Sequence, residues 1–110
     1  MVAREVIWTT TAERQLQNTL EYWLNRNKSP LYSQKLLQLV DKYIQQICQR
    51  PTSFKLTEYA NHRVCVMGVY SLYFLYSNNQ IIITGFWDGR QNPKEIKKKL
   101  IILEKQFLSL

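Results

Sequence analysis

The chain has 110 residues and a mass of 13.2 kDa, which leaves room for one compact domain with one hydrophobic core and excludes a multidomain enzyme. Its apolar content of 45%, with only three glycines and three prolines, is typical of an ordered globular protein. The formal net charge of +7 favours polyanionic partners such as RNA, DNA or an acidic protein segment. We expect a single domain over residues 1–110.

The first predicted elements are a strand and an amphipathic helix. Residues 3–8, AREVIW, alternate as a strand does, and Thr10 and Glu13 then have the spacing of a capping box, so we expect the helix to begin there. Apolar residues recur at helical spacing until the polar string NRNKSP interrupts them. They are Ala12, Leu16, Leu20, Trp23 and Leu24.

A second helix is predicted after this interruption. Ser29 is its expected N-cap and Pro30 lies in its expected first turn, while Pro51 follows its end. Its apolar stripe comprises Leu36, Val40, Tyr43, Ile44 and Ile47. Together the two helices predict a helical hairpin.

The second half of the chain changes to strand-like segments: HRVCVM, VYSLYFLYS and QIIITGFW. Gly68 and the pair Asn78-Asn79 separate them and tolerate positive φ, which predicts an antiparallel meander with tight hairpins. The alternation along the middle segment predicts one face covering the helical hairpin and one less apolar face.

A short C-terminal helix completes the predicted order β-α-α-β-β-β-α, an α+β fold. Its apolar positions are Ile96, Leu100, Leu103 and Phe107. The expected core of the whole chain is Trp8, Leu16, Leu20, Trp23, Leu36, Val40, Ile44, Leu72, Phe74 and Ile82.

Few residues are available for metal or nucleophile chemistry. Cys48 and Cys65 form no CxxC motif, so we expect both to be free, buried thiols in a reducing compartment. With His62 as the single histidine, a multi-histidine metal site is impossible, and we expect no metal and no cofactor. The charged start MVAREVIW and the lack of a membrane-length apolar run predict a cytoplasmic protein with no membrane partner.

Several strings, in their order along the chain, resemble the RelE/ParE superfamily of small basic toxins from bacterial type II toxin–antitoxin systems. The strings are VIWTTTAERQL, EYWLNRN, RPTSFK, GVYSLYFLY and FWDGRQNP. The resemblance implies a helical hairpin packed on a curved, mainly antiparallel four-stranded sheet, with a short C-terminal helix. It also implies a cognate antitoxin that folds on binding, with operator DNA contacted only through that antitoxin.

RelE-type members are ribosome-dependent mRNA endoribonucleases, and the resemblance carries only part of their site. Their two lysines on the second strand match Arg63 and Cys65, and their third-strand arginine matches Ser71. A further arginine matches Arg90 within about one position. The chain has no tyrosine after Tyr76 and no histidine after His62 to replace the terminal acid, so RelE-like cleavage is in doubt.

A ribonuclease alternative stays open because other subfamilies use different acid–base groups. Its catalytic set would be Lys55, Glu58, His62, Arg63 and Arg90. ParE-type members instead poison DNA gyrase without chemistry of their own, and this chain shares their aromatic first helix, their missing third-strand arginine and their short polar turn. We therefore expect a ParE-like gyrase poison, with mRNA cleavage on the ribosome as the alternative and a non-toxic basic binding module as a third class.

The residues expected to contact a target or antitoxin are Arg63, Trp87, Arg90, Lys97 and Lys98. Each has a structural interpretation beside the functional one. Trp87 can close the core, Arg90 can pair with Asp88 or cap a carbonyl, and the lysines can form a solvated helix face. For Arg63, a solvated position facing the sheet edge is the simpler expectation, and for His62 it is a surface position ahead of a strand.

Overall fold

The computed structural model describes residues 4–59 and 61–89, together with residues 98, 100 and 102. Its elements are β1 (Glu5–Trp8), α1 (Thr10–Asn27), α2 (Leu31–Gln49), a 3-10 turn (Pro51–Ser53), β2 (Lys55–Leu56), β3 (Arg63–Met67), β4 (Tyr70–Tyr76) and β5 (Gln80–Asp88). Lys98, Leu100 and Ile102 are helical, as the sequence predicts; the rest of that C-terminal prediction lies outside the described residues.

The strands form one mixed sheet in the order β1-β5-β4-β3-β2. β1 runs parallel to β5, and the other pairs are antiparallel. The sheet has five strands where the sequence predicted four, because Lys55 and Leu56 pair with Val64 and Arg63. Two residues are too few to show the alternation by which a strand is recognised in sequence.

Helix α1 begins where the sequence predicted it, but its cap is one residue earlier. Thr9 is the extended N-cap residue, and its Oγ1 accepts a 3.1 Å hydrogen bond from the backbone N–H of Ala12. The predicted capping box on Thr10 and Glu13 is therefore wrong by one position, because Thr10 already has helical geometry.

Helix α2, in contrast, begins one residue later than predicted. Pro30 is the N-cap and makes no side-chain capping bond, so Ser29 is not the cap. The Ser29 hydroxyl still accepts a 3.3 Å hydrogen bond from the N–H of Leu31. Within the hairpin, the Ser33 hydroxyl donates to the Leu20 carbonyl at 2.8 Å, which ties α2 to α1.

The main core lies between the helical hairpin and one face of the sheet, the helix face. Six predicted core residues are buried there: Leu16, Leu36, Val40, Ile44, Leu72 and Phe74. Trp8 and Leu20 are partly buried against this core, and Trp23 is also partly buried. Leu24, predicted on the apolar stripe, is 43% exposed.

The prediction for Ile82 is wrong by one residue. Ile81 and Ile83 are fully buried on the helix face, and Ile82, between them, points to the opposite face. Because side chains alternate along a strand, only the tertiary packing decides which of two alternating sets is buried in the run IIIT.

The opposite face of the sheet, the outer face, carries a second cluster of buried residues, Tyr73, Trp87 and Leu100. A Cβ added at Gly85 would overlap the Trp87 indole, so glycine is what lets this ring lie against the strand. Opposite Tyr73 and Phe74, β5 has a register shift of the kind produced by a β-bulge. The outer face is thus more apolar than its sequence alternation predicted.

The two hairpin turns differ from each other. Gly68 has a φ of +64°, as predicted for a tight turn between β3 and β4. Asn78 and Asn79 do not have the positive φ expected of them. Their turn is closed by a 2.9 Å bond from the Ser77 N–H to the Gln80 carbonyl and another from the Ser77 hydroxyl to Asn79 Oδ1. Among the described residues, no helix is long and apolar enough to cross a membrane.

Candidate functional site

Arg63, at the start of β3, is held in place by neutral groups. Its Nη1 donates a 2.8 Å hydrogen bond to the Phe54 carbonyl, and its guanidinium lies 5.7 Å from the centroid of the Tyr76 ring. Its buried Nε has no hydrogen-bond acceptor within the part of the chain that the structure describes. The side chain is half-buried, which replaces the solvated edge position expected from sequence.

A cavity of about 620 Å³ opens beside Arg63 at the end of the sheet. Its wall comes from four strands, β2, β3, the end of β4 and the start of β5, and from residues in the adjoining turns. The lining residues are Leu56, Asn61, Arg63, Leu75, Tyr76, Ser77, Gln80 and Ile82. We call this the Arg63 cavity.

Lys55 and Glu58 lie near this end of the sheet, and both are exposed. Lys55 pairs with Val64 in the short strand β2, and Glu58 follows in the connection to β3. Neither lines the Arg63 cavity. Both residues are accessible to an RNA substrate, but their proposed catalytic roles stay predictions.

His62 is fully buried, so the expectation of a surface residue is wrong. Its Nδ1 lies 2.9 Å from the Tyr59 carbonyl, and its own carbonyl accepts 2.8 Å bonds from both the N–H and the hydroxyl of Thr57. These contacts close the loop from Thr57 to His62. A histidine with no exposed surface cannot exchange a proton with an RNA substrate in this conformation.

Trp87 is also buried, at 4% exposure, in the cluster on the outer face. Its ring has no accessible face with which to stack on a base or touch a target. The residue is the packing tryptophan of the structural interpretation, and the proposed role in target contact is not supported by its position.

Two of the RelE-like positions, Cys65 and Ser71, do not lie together in space. Cys65 is 1% exposed within the core on the helix face. Ser71 pairs with Val66 and Trp87 and points to the outer face. Even with cations at both positions, the two side chains would lie on opposite sides of the sheet, which deepens the doubt about RelE-like cleavage.

Arg90 and Lys97, two of the predicted contact residues, lie outside the described residues. Lys98 is described and is exposed. Its neighbour Leu100 is fully buried against the outer face. An exposed lysine next to an anchored leucine can offer its charge to a partner without loosening the fold.

Sequence reasoning missed a second concavity, an aromatic groove of about 410 Å³ between α1, the start of β4 and the end of β5. Its aromatic wall is Tyr22, Trp23, Tyr70 and Phe86, and its polar wall is Gln15, Asn18, Thr19 and Asp88. Gln15 Oε1 accepts a 2.9 Å hydrogen bond from the Phe86 N–H across the groove floor. The sequence signal for this groove is the aromatic pair Tyr22-Trp23, of which Trp23 was predicted only as a core residue of the first helix.

The cysteines are free thiols, as predicted; Cys65 is buried and Cys48 only partly so. Burial raises the pKa of Cys65 to about 11 and also raises that of Cys48, against a lowering by the nearby Arg4. A thiol with a raised pKa is protonated and unreactive at neutral pH, so these residues are structural.

Comparison with known proteins gives one kind of match. No protein-family model and no curated protein sequence matches the chain. Among solved structures, a chain of the chromosomal ParDE TA system from P. aeruginosa superposes with a TM-score of 0.67 at 16% sequence identity. The match covers 78% of this chain and 96% of that one, and the chain therefore has the ParE/RelE-like α+β fold that its sequence resemblance predicted.

Proposed function

We propose that this protein is the toxin of a type II toxin–antitoxin system, and that it inhibits growth by binding DNA gyrase in the ParE manner. The observation that carries the proposal is the structural match, which covers 96% of a chain from a ParDE TA system. Fold alone does not determine function, so the sequence strings that resemble the toxin superfamily are the second support. The cytoplasm, where both gyrase and the ribosome are found, is the proposed location.

Binding is favoured over RNA cleavage by the placement of the candidate catalytic groups. Cleavage needs a proton acceptor, a proton donor and cations around one phosphate. Among the described candidates, His62 is fully buried, and Lys55 and Glu58 lie outside the cavity that Arg63 lines. A gyrase poison needs only a complementary surface, to which Lys98, Arg90 and Lys97 are the proposed contributors.

A cognate antitoxin is the second proposed partner. The formal net charge of +7 attracts an acidic protein, and a disordered segment that folds on binding can cover a large part of a small domain. The operator DNA would be reached through that antitoxin. An acidic open reading frame adjoining this gene is the genetic arrangement that the proposal requires.

The deciding experiment is induction of the protein in a bacterial host that lacks the antitoxin. We expect growth arrest, DNA-damage signalling and full-length transcripts, and, with purified components, inhibition of gyrase supercoiling at a stoichiometric ratio. Cleavage of mRNA at codon boundaries with intact DNA metabolism would overturn the gyrase target in favour of the RelE-like alternative. Absence of any growth defect would overturn the toxin itself.

Arg90→Ala and Lys98→Ala refine the test, with Arg14→Ala as the matched control because Arg14 is exposed on α1. We expect the first two to reduce toxicity while the melting temperature stays within about 2 °C, a range typical of surface changes. Loss of soluble protein in Arg90→Ala would instead assign that arginine to the corner after β5.

A further inference from the structure

Two neighbouring residues of α1 form an aromatic corner in the wall of the aromatic groove. The rings of Tyr22 and Trp23 lie with their centroids 5.1 Å apart and their planes at 81°, so they present two nearly perpendicular surfaces. Tyr22 is 52% exposed and Trp23 is partly buried, which leaves this corner accessible from solvent. The faces of aromatic rings attract cations, and among protein side chains most often arginine.

Arg26 shows this attraction within the chain itself. Its guanidinium lies 6.0 Å from the centroid of the Trp23 ring, and its Nη1 donates a 3.3 Å hydrogen bond to the Tyr22 hydroxyl. Arg26 is exposed and is not one of the described lining residues of the groove. The aromatic corner therefore already holds one guanidinium, from outside the groove.

Asp88 supplies negative charge inside the groove. It is the one charged side chain among the described lining residues, and alternation along β5 places it on the same face of the sheet as Phe86. Burial is the main cause of the raised pKa of Tyr70, and the Asp88 carboxylate adds to it, so its negative potential reaches the groove floor. A carboxylate has about four acceptor positions, so Asp88 can bond a further cation in addition to its contacts within the chain.

The remaining polar groups decide which cation fits. Gln15 Oε1 accepts from the Phe86 N–H at 2.9 Å, and the Thr19 hydroxyl donates to the Gln15 carbonyl at 3.0 Å, which fixes the floor and one wall. The exposed Asn18 amide lies in the same wall. A guanidinium is planar, stacks on aromatic rings and forms paired hydrogen bonds to a carboxylate, whereas an ammonium is a compact, strongly hydrated charge. An aromatic corner facing a carboxylate therefore selects a guanidinium.

We propose that the aromatic groove is a binding site for an arginine side chain of a partner protein. The guanidinium packs against the aromatic corner and donates hydrogen bonds to the Asp88 carboxylate, with the Asn18 amide oxygen as a further acceptor. The described lining holds no cation to bind the carboxylate of a free amino acid, which favours an arginine within a polypeptide. This inference is independent of the proposed function, because the net charge of +7 attracts an acidic antitoxin whereas the groove selects a basic side chain.

The test titrates the full chain with Nα-acetyl-arginine N-methylamide, the arginine probe. The matched control is the citrulline analogue, in which a neutral urea group of nearly the same shape replaces the guanidinium. In ¹⁵N NMR spectra, we expect the arginine probe to shift the Trp23 indole N–H and the backbone amides of Phe86 and Asp88. It should bind about fivefold more tightly than the citrulline probe or better. The indole N–H of Trp87, on the outer face, should not move.

Variants of opposite sign locate the effect. Asp88→Asn removes the carboxylate and should weaken the arginine probe about fivefold, with Asp41→Asn at an exposed position of α2 as the matched control. Arg26→Gln removes the competing cation and should tighten binding about twofold, with Lys42→Gln on α2 as its control. Should Asp88→Asn disturb the fold, Asn18→Asp still tests the site, because a carboxylate added at an exposed groove position should tighten binding.

The opposing outcomes are distinct. Equal affinity for the arginine and citrulline probes, or unchanged affinity in both Asn18→Asp and Arg26→Gln, would overturn the proposal. A lysine analogue that binds as tightly as the arginine probe would overturn the selection of a guanidinium. Tighter binding of free L-arginine would overturn the protein partner in favour of a small metabolite. A ribonucleoside monophosphate that shifts the same resonances and binds more weakly to Arg26→Gln would overturn the site in favour of a nucleotide.

Discussion

The indole Nε1 of Trp23 donates a 2.7 Å hydrogen bond to the hydroxyl of Tyr70, which joins helix α1 to the first residue of β4. The Tyr70 ring is stacked on Phe86 with centroids 5.2 Å apart and is 3% exposed. Burial raises the pKa of Tyr70, against a lowering by the Trp23 bond. This contact links the C-terminal part of α1 directly to the sheet.

Tyr70→Phe should lower the free energy of unfolding by about 1–2 kcal/mol, because the Trp23 N–H would lose its acceptor in a partly buried site. Urea denaturation measures the change. In a double-mutant cycle with Trp23→Phe, the two losses should be less than additive. Tyr22→Phe is the control, since Tyr22 is 52% exposed, and should stay within about 0.5 kcal/mol; full additivity would show that the bond contributes nothing.

The N-cap of α1 offers a pair of adjacent threonines with different roles. Thr9→Ala removes the hydroxyl that accepts the Ala12 N–H and should cost about 1 kcal/mol. Thr10→Ala, one residue into the helix, should cost less than about 0.5 kcal/mol because alanine is the better helix former. Thermal unfolding of both variants checks the order, and a larger loss at Thr10 would restore the capping box expected from sequence.

His62 separates a structural from a catalytic interpretation. His62→Ala should destabilise the fold by about 2–4 kcal/mol, because it opens a cavity in a fully buried position and removes the ring contact with the Tyr59 carbonyl. Toxicity at a temperature where the variant is still folded should persist. Glu21→Gln, at an exposed position on α1, serves as the control; a non-toxic His62→Ala with unchanged stability would favour the ribonuclease alternative.

Cys65 predicts a specific loss of stability at high pH. Its folded-state pKa of about 11 lies above the unfolded value of 9.0, so the buried thiol stabilises the fold fully below pH 9 and less as the pH rises through 11. The loss should be about 1–3 kcal/mol. Comparing wild type with Cys65→Ala from pH 8 to 11 isolates it from Tyr70 and Tyr73, whose pKa values burial also raises; parallel curves for the two proteins would contradict the assignment.

Elements with a strong local pattern were predictable. The stripe on α2 identified its buried face correctly, because residues three and four apart share one side of a helix whatever that helix packs against. Gly68 marked its turn for an equally local reason, since glycine adopts a positive φ without a steric penalty. Strand β2 was not predicted, because it is defined by its pairing with β3 and its two residues show no alternation of apolar and polar side chains.

The burial of the candidate site residues depended much more on tertiary packing than on local sequence. His62 and Arg63 are neighbours in sequence, and both were expected at the surface. His62 is fully buried, whereas Arg63 lines a cavity together with residues 12 to 19 positions away, such as Leu75 and Ile82. Trp87 carries no local signal that distinguishes a packed ring from an exposed one. In each case, what matters is which part of the chain covers the residue.

By itself, the sequence determined every described element except the short strand β2 and the 3-10 turn, together with the helical hairpin, the positive charge and the resemblance to a toxin superfamily, because these depend on local periodicity and composition. The tertiary structure decided which of Ile81, Ile82 and Ile83 face the helices, and it placed Cys65 and Ser71 on opposite faces of the sheet. It also left Arg63 without a described carboxylate partner beside an open cavity. The physical reason is that burial and ion pairing are set by contacts between distant segments, whereas helix and strand preference is set by near neighbours.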